Sequence, residues 1–289
     1  MTRVKKFKFL TLYFSSIGLK QSLLNFLSIL KMPFISEEHL RLKFHKNFSS
    51  RFNNKAVFSF SSARASLSAC LKSIGIKGGD EVLISSFTCL AVPTAVIAAG
   101  ASPKYYDIDL NTINANKKAL KKLISKKTKA IVLQHTLGIP ISIDIIKDLL
   151  PNEDIIIIED CALSIGSSIN RTLVGTKADA AIFSLELSKT ISCGWGGILL
   201  VNNKKLEKKI GKYYEKVGNL KFLKSLRMAI QASLSGILYS SNIYFIGKYF
   251  IALFFKLGLF DASTPNNEEK GRVGKDFISK LPKSLLTLS

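Results

Sequence analysis

Within the stretch FSLELSKTISCGWGG, Phe183 to Gly197, a single lysine stands among small, hydroxylic and apolar neighbours. Almost everywhere else the lysines of this chain sit in charged company. An amine in an apolar setting, or beside another cation, loses proton affinity and becomes a nucleophile able to form a Schiff base. Two other features belong with Lys189. Asp160 ends the apolar run IIIIED, and Ser62 stands as an N-cap before a stretch of helical periodicity. A helix N-terminus with free N–H groups receives a phosphate. A carboxylate facing a pyridine nitrogen keeps it protonated, so that the ring accepts electrons from a carbanion. Amine, carboxylate and phosphate cradle are together the three tasks a protein performs for pyridoxal 5'-phosphate. Singly each is weak: Lys189 is one of 42 Lys and Arg, Asp160 alone would cap a turn, and Ser62 alone would cap a helix. Neither a GxGxxG nor a GxxxxGK[ST] loop is present to suggest another cofactor.

The elements that must position these residues alternate regularly from about Ser61. SSARASLSACLKSIGI has helical spacing, KGGD is a turn and EVLIS reads as a buried strand. CLAVPTAVIAAG reads as a helix with Pro93 near its start, and PKYYDID as a strand ending in acids. NANKKALKKLISKKT is an amphipathic helix, AIVLQH a strand, and SIDIIKDLLP a helix with Ser142 as its cap. DIIIIED, AAIFSL and GILLVN supply further strands. Short apolar strands alternating with helices predict an α/β fold, with a mostly parallel sheet covered by helices on both faces. In such sheets the chemistry gathers at the carboxyl edge. Asp107, His135, Asp160 and Ser184 all fall at or just past strand ends.

Composition sets the outer limits. A chain of 289 residues with 47% hydrophobic content holds a sizeable core and is not disordered. Its net charge of +22 is uneven: +9 over residues 1–55, +3 over 56–203 and +10 over 204–289. The basic flanks suit an anionic surface or solvated lysine-rich faces. Zinc-finger spacing, a helix-turn-helix pattern and aromatic-basic stacking signatures are all missing, which argues against a nucleic-acid partner. Cys70, Cys89, Cys161 and Cys193 form no CxxC pair, which fits a reducing compartment. MTRVKKFKFLTLYFSSIGL lacks a small-residue cleavage site and reads as an amphipathic arm. Met228 to Phe260 is apolar but too polar in its first half to span a bilayer. It is expected either to lie in a membrane interface or to be buried against the main domain or a partner subunit.

The segments FSSARASLSACLKSIGIKGGDEVLISSFTCLAVPTAVIAAGASPKYYDID, AIVLQHTLGIP, IIIIEDCALSIGS and AAIFSLELSKTISCGWGGILLVNN, in that order, resemble the DegT/StrS family of sugar aminotransferases. The resemblance runs from about Ser36 to Asn203. It implies the fold-type-I architecture of pyridoxal-phosphate enzymes, a homodimer with its site at the subunit interface, and a cytoplasmic enzyme. By position, Lys189 matches the lysine that holds the cofactor covalently and shuttles the proton, and Asp160 the partner of the ring nitrogen. Ser62, Ala63 and Arg64 match the phosphate-cradling turn, Ser184 a serine that also reaches the phosphate, and His135 a supporting histidine. Cys89 occupies the place of an aromatic that stacks on the ring, with Phe87 close by. The chain departs from the family at Leu163, where glutamine is common, and at Trp195 between Gly194 and Gly196, where an acid is frequent. The implied activity is transfer of an amino group, from glutamate, to a nucleotide-linked keto-sugar for surface polysaccharide or lipopolysaccharide. Dehydratase relatives replace the lysine, so Lys189 speaks for transfer.

Three regions follow: a basic amphipathic arm and lead-in helix over 1–55, a cofactor-binding large domain over 56–203, and a basic, apolar helical segment over 204–289. KGRVGKDFISKLPKSLLTLS resembles the start of the helix leading into the family's small domain, which is expected to be truncated or missing. The alternative expectation is a catalytically impaired member acting as a membrane-associated scaffold or partner.

Overall fold

The structure is a computed structural model that describes residues 19–31, 34–151, 154–240, 243–262, 268, 273–274 and 276–286. Residues 1–18 of the expected N-terminal arm lie outside the described residues.

A seven-stranded sheet forms the centre. Along the chain its strands are β1 (Ala56–Phe60), β2 (Glu81–Ser85), β3 (Ser102–Tyr106), β4 (Thr128–Gln134), β5 (Ile156–Asp160), β8 (Ala180–Ser184) and β9 (Gly197–Val201). Their spatial order is β1-β9-β8-β5-β4-β2-β3. The pairs β2–β3, β2–β4, β4–β5 and β5–β8 are parallel, whereas β9 runs antiparallel to both β8 and β1. The sheet is therefore mixed and mostly parallel, as the sequence pattern predicts. A two-stranded ribbon, β6 (Ser168–Ile169) and β7 (Thr172–Leu173), lies outside it.

Helices cover both faces, which is why the strands read as apolar runs rather than alternations. On one face α3 (Ala63–Ser73), α4 (Ala91–Ala99) and α7 (Lys204–Glu215) enclose a core containing Leu67, Val96, Val132, Ile158, Ile182 and Ile210. On the other, α5 (Lys117–Leu123) and α6 (Asp144–Lys147) cover Ile131, Leu133 and Ile157. Beside them Phe183, Ile198 and Leu200 pack with α8 (Phe222–Leu238) and α10 (Lys283–Leu286). Two more helices, α1 (Leu19–Lys31) and α2 (Glu37–Ser49), precede the sheet, and α9 (Tyr244–Lys256) follows α8.

Local chemistry explains most boundaries. Ser62 caps α3 by accepting from the Ala65 N–H at 3.2 Å, and α4 ends where Gly100 turns left-handed at φ 100°. Asn116 and Asn203 cap α5 and α7. One expectation needs correction. Ser142 caps nothing: α6 begins at Asp144, with Ile143 in the cap position and no side-chain cap bond. Of KGRVGKDFISKLPKSLLTLS, residues 270–272, 275 and 287–289 lie outside the described residues, and α10 begins at Lys283. The backbone before α10 joins the end of β1, Ser61 N–H to the Ser279 carbonyl at 2.8 Å, with Lys280 bridged to Phe60.

Candidate functional site

Strand pleat decides which way the acids at the carboxyl edge point. Successive side chains alternate faces, so Asp160 shares the face of Ile158, and Ser184 that of Ile182. That is the face covered by α3, α4 and α7. Asp160 also pairs in register with Ile182, one strand over and two residues short of Ser184. Burial pushes the Asp160 carboxyl up from the ordinary aspartate range. The Ala162 N–H, 3.0 Å from Oδ1, and the nearby Lys189 charge oppose that rise. Lys189 is therefore near enough for its charge to act on the Asp160 carboxylate.

The loop carrying Lys189 is closed at its base. The Leu185 N–H donates to the Gly196 carbonyl at 2.9 Å, and the Cys193 N–H to the Leu185 carbonyl at 3.2 Å. Glu186 bridges Gly194, and the Lys189 N–H turns back onto the Glu186 carbonyl at 2.9 Å. The Glu186 carboxylate accepts from the Ser188 N–H at 3.0 Å and from the Ser188 hydroxyl. Lys189 is half-buried at the head of this loop.

The Ser62–Ala63–Arg64 turn meets the loop through one glycine. A Cβ on Gly197 would overlap the Ser62 carbonyl group and the Ala63 nitrogen, and Ser62 is bridged to Gly196. Only a residue without a side chain lets β9 start this close to the head of α3. The N–H groups of Ala63 and Arg64 open the helix and have no intrahelical acceptor. The Arg64 guanidinium pairs with Glu268 at 2.9 Å, and burial lowers its pKa. Glu186 and Cys89 are near enough to act on the same guanidinium. A cavity of about 330 Å³ opens beside it, lined by Ser61, Ser62, Arg64, Trp195, Lys224 and Glu268 among others. The indole Nε1 of Trp195 is buried and has no partner among the described residues. Cys89 is exposed, and its loop is tied to the end of β4: Gln134 accepts from the Thr88 hydroxyl at 2.6 Å and donates to the Phe87 carbonyl at 3.2 Å.

His135 is fully buried, with both ring nitrogens engaged. Nδ1 accepts from the Ile141 N–H at 3.1 Å, so the ring proton sits on Nε2 and is donated to Glu159 Oε2 at 3.0 Å. Glu159 points away from Asp160 on the adjacent face. It also accepts from the N–H groups of Gly175 (2.7 Å), Ala178 (2.9 Å) and Lys177 (3.2 Å). Burial alone would raise the Glu159 carboxyl, yet these donors bring it below the ordinary glutamate range. Cys161 lies beside the pair, and the three donor atoms are close enough to suggest a metal site. The four hydrogen bonds converging on Glu159 make the cluster a brace instead. It fixes the backbone of β5 one residue before Asp160, and the His135 N–H adds a bond to the Asp160 carbonyl at 3.1 Å.

The structure thus brings Asp160, Lys189, Arg64 and Cys89 within electrostatic reach of at least one other member of the site, and sets Ser62 and Ala63 against the lysine loop. His135 sits behind the edge, attached through Glu159. The sequence reading missed Glu159, Glu186 and Glu268. For Glu159 the signal was an acid inside an apolar strand, which demands buried donors. Glu186, three residues before the lysine, was visible as the only acid in its segment. Glu268 carried no local signal.

Comparison with known proteins shows what the chain is similar to. The profile of the DegT/DnrJ/EryC1/StrS aminotransferase family matches residues 20–227. GDP-perosamine synthase of Vibrio cholerae is 32% identical over 161 residues, 56% of this chain and 44% of that protein. The spore coat polysaccharide biosynthesis protein SpsC of Bacillus subtilis is 32% identical over 168 residues, 58% of this chain and 43% of that one. The chain spans about half the length of the curated relatives it matches. Among solved structures, the aminotransferase from Psychrobacter cryohalolentis has a TM-score of 0.57 at 27% identity, covering 60% of this chain and 44% of that one. The putative sugar aminotransferase Spr1654 from Streptococcus pneumoniae reaches a TM-score of 0.61 at 19% identity, a likeness of fold alone, over 67% of this chain and 54% of that one. Matched from α1 into α8, with the lysine loop and the buried aspartate inside the matched region, the chain belongs to the DegT/DnrJ/EryC1/StrS aminotransferase family.

Proposed function

We propose that this chain is a pyridoxal-phosphate-dependent aminotransferase that moves an amino group from glutamate to a nucleotide-linked keto-sugar, for surface polysaccharide or lipopolysaccharide assembly. The observation that carries the reading is the Asp160–Lys189 pair at the carboxyl edge, beside the open N-terminus of α3. The residues present fit the cofactor. Asp160 is a buried carboxylate suited to a protonated ring nitrogen. The Ala63 and Arg64 N–H groups, with Ser62 and Ser184, offer donors to a phosphate. The Gly197 contact keeps that cradle from being filled by a side chain. Cys89 would lie against the ring, and His135 would support the edge through Glu159.

Bound pyridoxal phosphate supplies an electron sink for the carbon that loses a proton. The residues do the rest. Lys189 would be the amine that holds the cofactor and, once free, the base that takes the donor's α-proton and returns it. Asp160 keeps its charge close to the ring nitrogen. The loop closed at Leu185 and Gly196 limits where the lysine reaches. Overall, glutamate and the keto-sugar would exchange amino and oxo groups to give 2-oxoglutarate and the amino sugar, which needs no external oxidant or reductant. The names of the relatives above, a perosamine synthase and a spore-coat polysaccharide protein, support the sugar class. The reading also includes a homodimer in the cytoplasm.

The test is turnover. Purified chain with pyridoxal phosphate and glutamate is given a panel of nucleotide-linked 4-keto-6-deoxyhexoses, and 2-oxoglutarate and amino sugar are counted. The reading predicts equal yields of the two, abolished by Lys189→Ala. Sugar lacking a hydroxyl with no nitrogen gained would replace transfer with dehydration. No product from cofactor-loaded chain would overturn catalysis in favour of an accessory role.

A further inference from the structure

Three helices carry a surface that neither the sheet nor the cofactor site uses. In α1 the fully buried residues are Ser22 and Asn25, Phe26 and Ile29 are half-buried with Ile29 packed on the core, and Leu23, Leu24, Leu27 and Leu30 face outward, Leu30 71% exposed. The Ser22 hydroxyl and the Asn25 amide nitrogen are buried without hydrogen-bond partners among the described residues. Helix α1 packs on α8, whose buried positions include Ser225, Ala229, Ala232, Ser233, Ser235 and Gly236. Helix α9 touches α8 through Gly247, where any side chain would overlap the Leu238 carbonyl, and buries only Ile251 besides. Its remaining surface exposes Phe245, Ile246, Tyr249, Phe250, Leu253 and Phe255, Ile246 being 66% and Tyr249 69% exposed.

Ile29, Met228 and Ile251 do face inward, but most of the large apolar side chains of α1 and α9 lie outside, unlike a water-soluble helical layer whose apolar stripes face inward. Small and hydroxylic residues inside, with leucine and phenylalanine outside, are what helices adopt when their surroundings are apolar. Clusters of large exposed apolar side chains such as those on α1 and on α9 mark interaction sites. No helix among the described residues is long and apolar enough to cross a membrane, which leaves an interfacial position.

Charge selects the partner. Helices α1, α8 and α9 contain Lys and Arg but no Asp or Glu. On α8, Arg227 is paired with Asp261 and Lys224 with Asp276. On α9, the Lys248 ammonium lies 5.0 Å from the Tyr249 ring centroid and 5.8 Å from that of Phe245, so its cation stands beside the aromatic surface. Lys256 closes the same helix. Aromatic side chains bracketed by lysines match the boundary between acyl chains and anionic headgroups, with the lysine stems lying along the apolar surface. A second copy of the chain would bring the same positive charge to this face and would be repelled by it.

We propose that the outward faces of α1 and α9 dock the protein into the interface of an anionic lipid bilayer. The experiment is flotation of the purified full chain with vesicles of phosphatidylcholine alone or mixed with phosphatidylglycerol. Binding to the anionic vesicles, weakened by salt, is expected. Lys248→Glu with Lys256→Glu should lower partitioning by at least about tenfold. Lys118→Glu with Lys122→Glu on the exposed face of α5 changes net charge equally and should have little effect. Leu27→Glu or Phe250→Glu, at exposed positions where melting should be unchanged, should also release the protein. Three results would overturn the proposal: equal flotation with and without anionic lipid, equal loss from the α5 control, or a concentration-dependent dimer broken by Leu27→Glu and Phe250→Glu in protein that ignores vesicles. Vesicle binding needs no cofactor, so its failure and the failure of glutamate turnover are separate results.

Discussion

Burial resists charge on Asp160, and the proposed reaction depends on that charge. With the folded pKa raised, the contribution of Asp160 to stability is fully present below the ordinary aspartate range and is lost as pH rises through the folded value. Asp160→Asn should therefore raise the melting temperature of the cofactor-free chain at pH 7.5 relative to pH 4, while cutting glutamate turnover by roughly 10²-fold or more. Unchanged melting together with unchanged turnover would remove Asp160 from the site. His45 shows the opposite sign. Burial and the Arg41 charge push its imidazole down from 6.5 to about 4, where it meets the Ser59 hydroxyl at 2.9 Å. Its contribution, roughly 3 kcal/mol, is present above pH 6.5 and is lost as pH falls through about 4. Urea unfolding of His45→Gln should accordingly show a flatter acid limb than the parent chain, and parallel limbs would refute the assignment. Lys189 and Asp160 were legible because their neighbours in sequence already isolate them. The Glu159 brace was not, since three of its four donors come from the chain around Gly175 to Ala178, which carries no pattern of its own.

Strands and helices were legible where packing on both faces forced apolar runs, as in EVLIS, AIVLQH and IIIIED. Two elements escaped. Strand β1 is short, and its partner β9 lies far along the chain, so nothing local announces the pairing. The β6–β7 ribbon turns through Asn170 and Arg171, both left-handed at φ 49° and 63°. Arg171 stands where a glycine would have signalled the turn. Glycines at the element scale give a paired test. Gly197→Ala should destabilise the fold by roughly 2 kcal/mol or more, because its Cβ would enter the Ser62–Ala63 backbone, and it should weaken cofactor binding as well. Gly211→Ala, inside α7 with nothing near its Cβ, should instead stabilise by about 0.5–1 kcal/mol. Denaturant midpoints of opposite sign confirm the close approach at Gly197, and equal midpoints contradict it.

At the scale of the molecule, the sequence carried the order of elements and the edge where chemistry gathers, but not which apolar helix is covered. Helix α8 is the more polar of the two and encloses its Ser, Ala and Gly positions while exposing Phe222 and Leu223 at its start, whereas α9 carries Phe, Tyr and Ile and leaves most of them outside. The uneven charge, with basic flanks around a nearly balanced sheet, has its structural counterpart in helices without acids at the periphery of the fold. All of this surrounds one claim, that the amine of Lys189 is kept for covalent occupation. The most direct measurement is a visible absorbance spectrum of the purified chain with pyridoxal phosphate, followed by borohydride reduction and peptide mapping. The account predicts a visible band that reduction abolishes and a mass adduct confined to the peptide containing Lys189, absent in Lys189→Ala. An adduct spread over surface lysines, or no band, would contradict it.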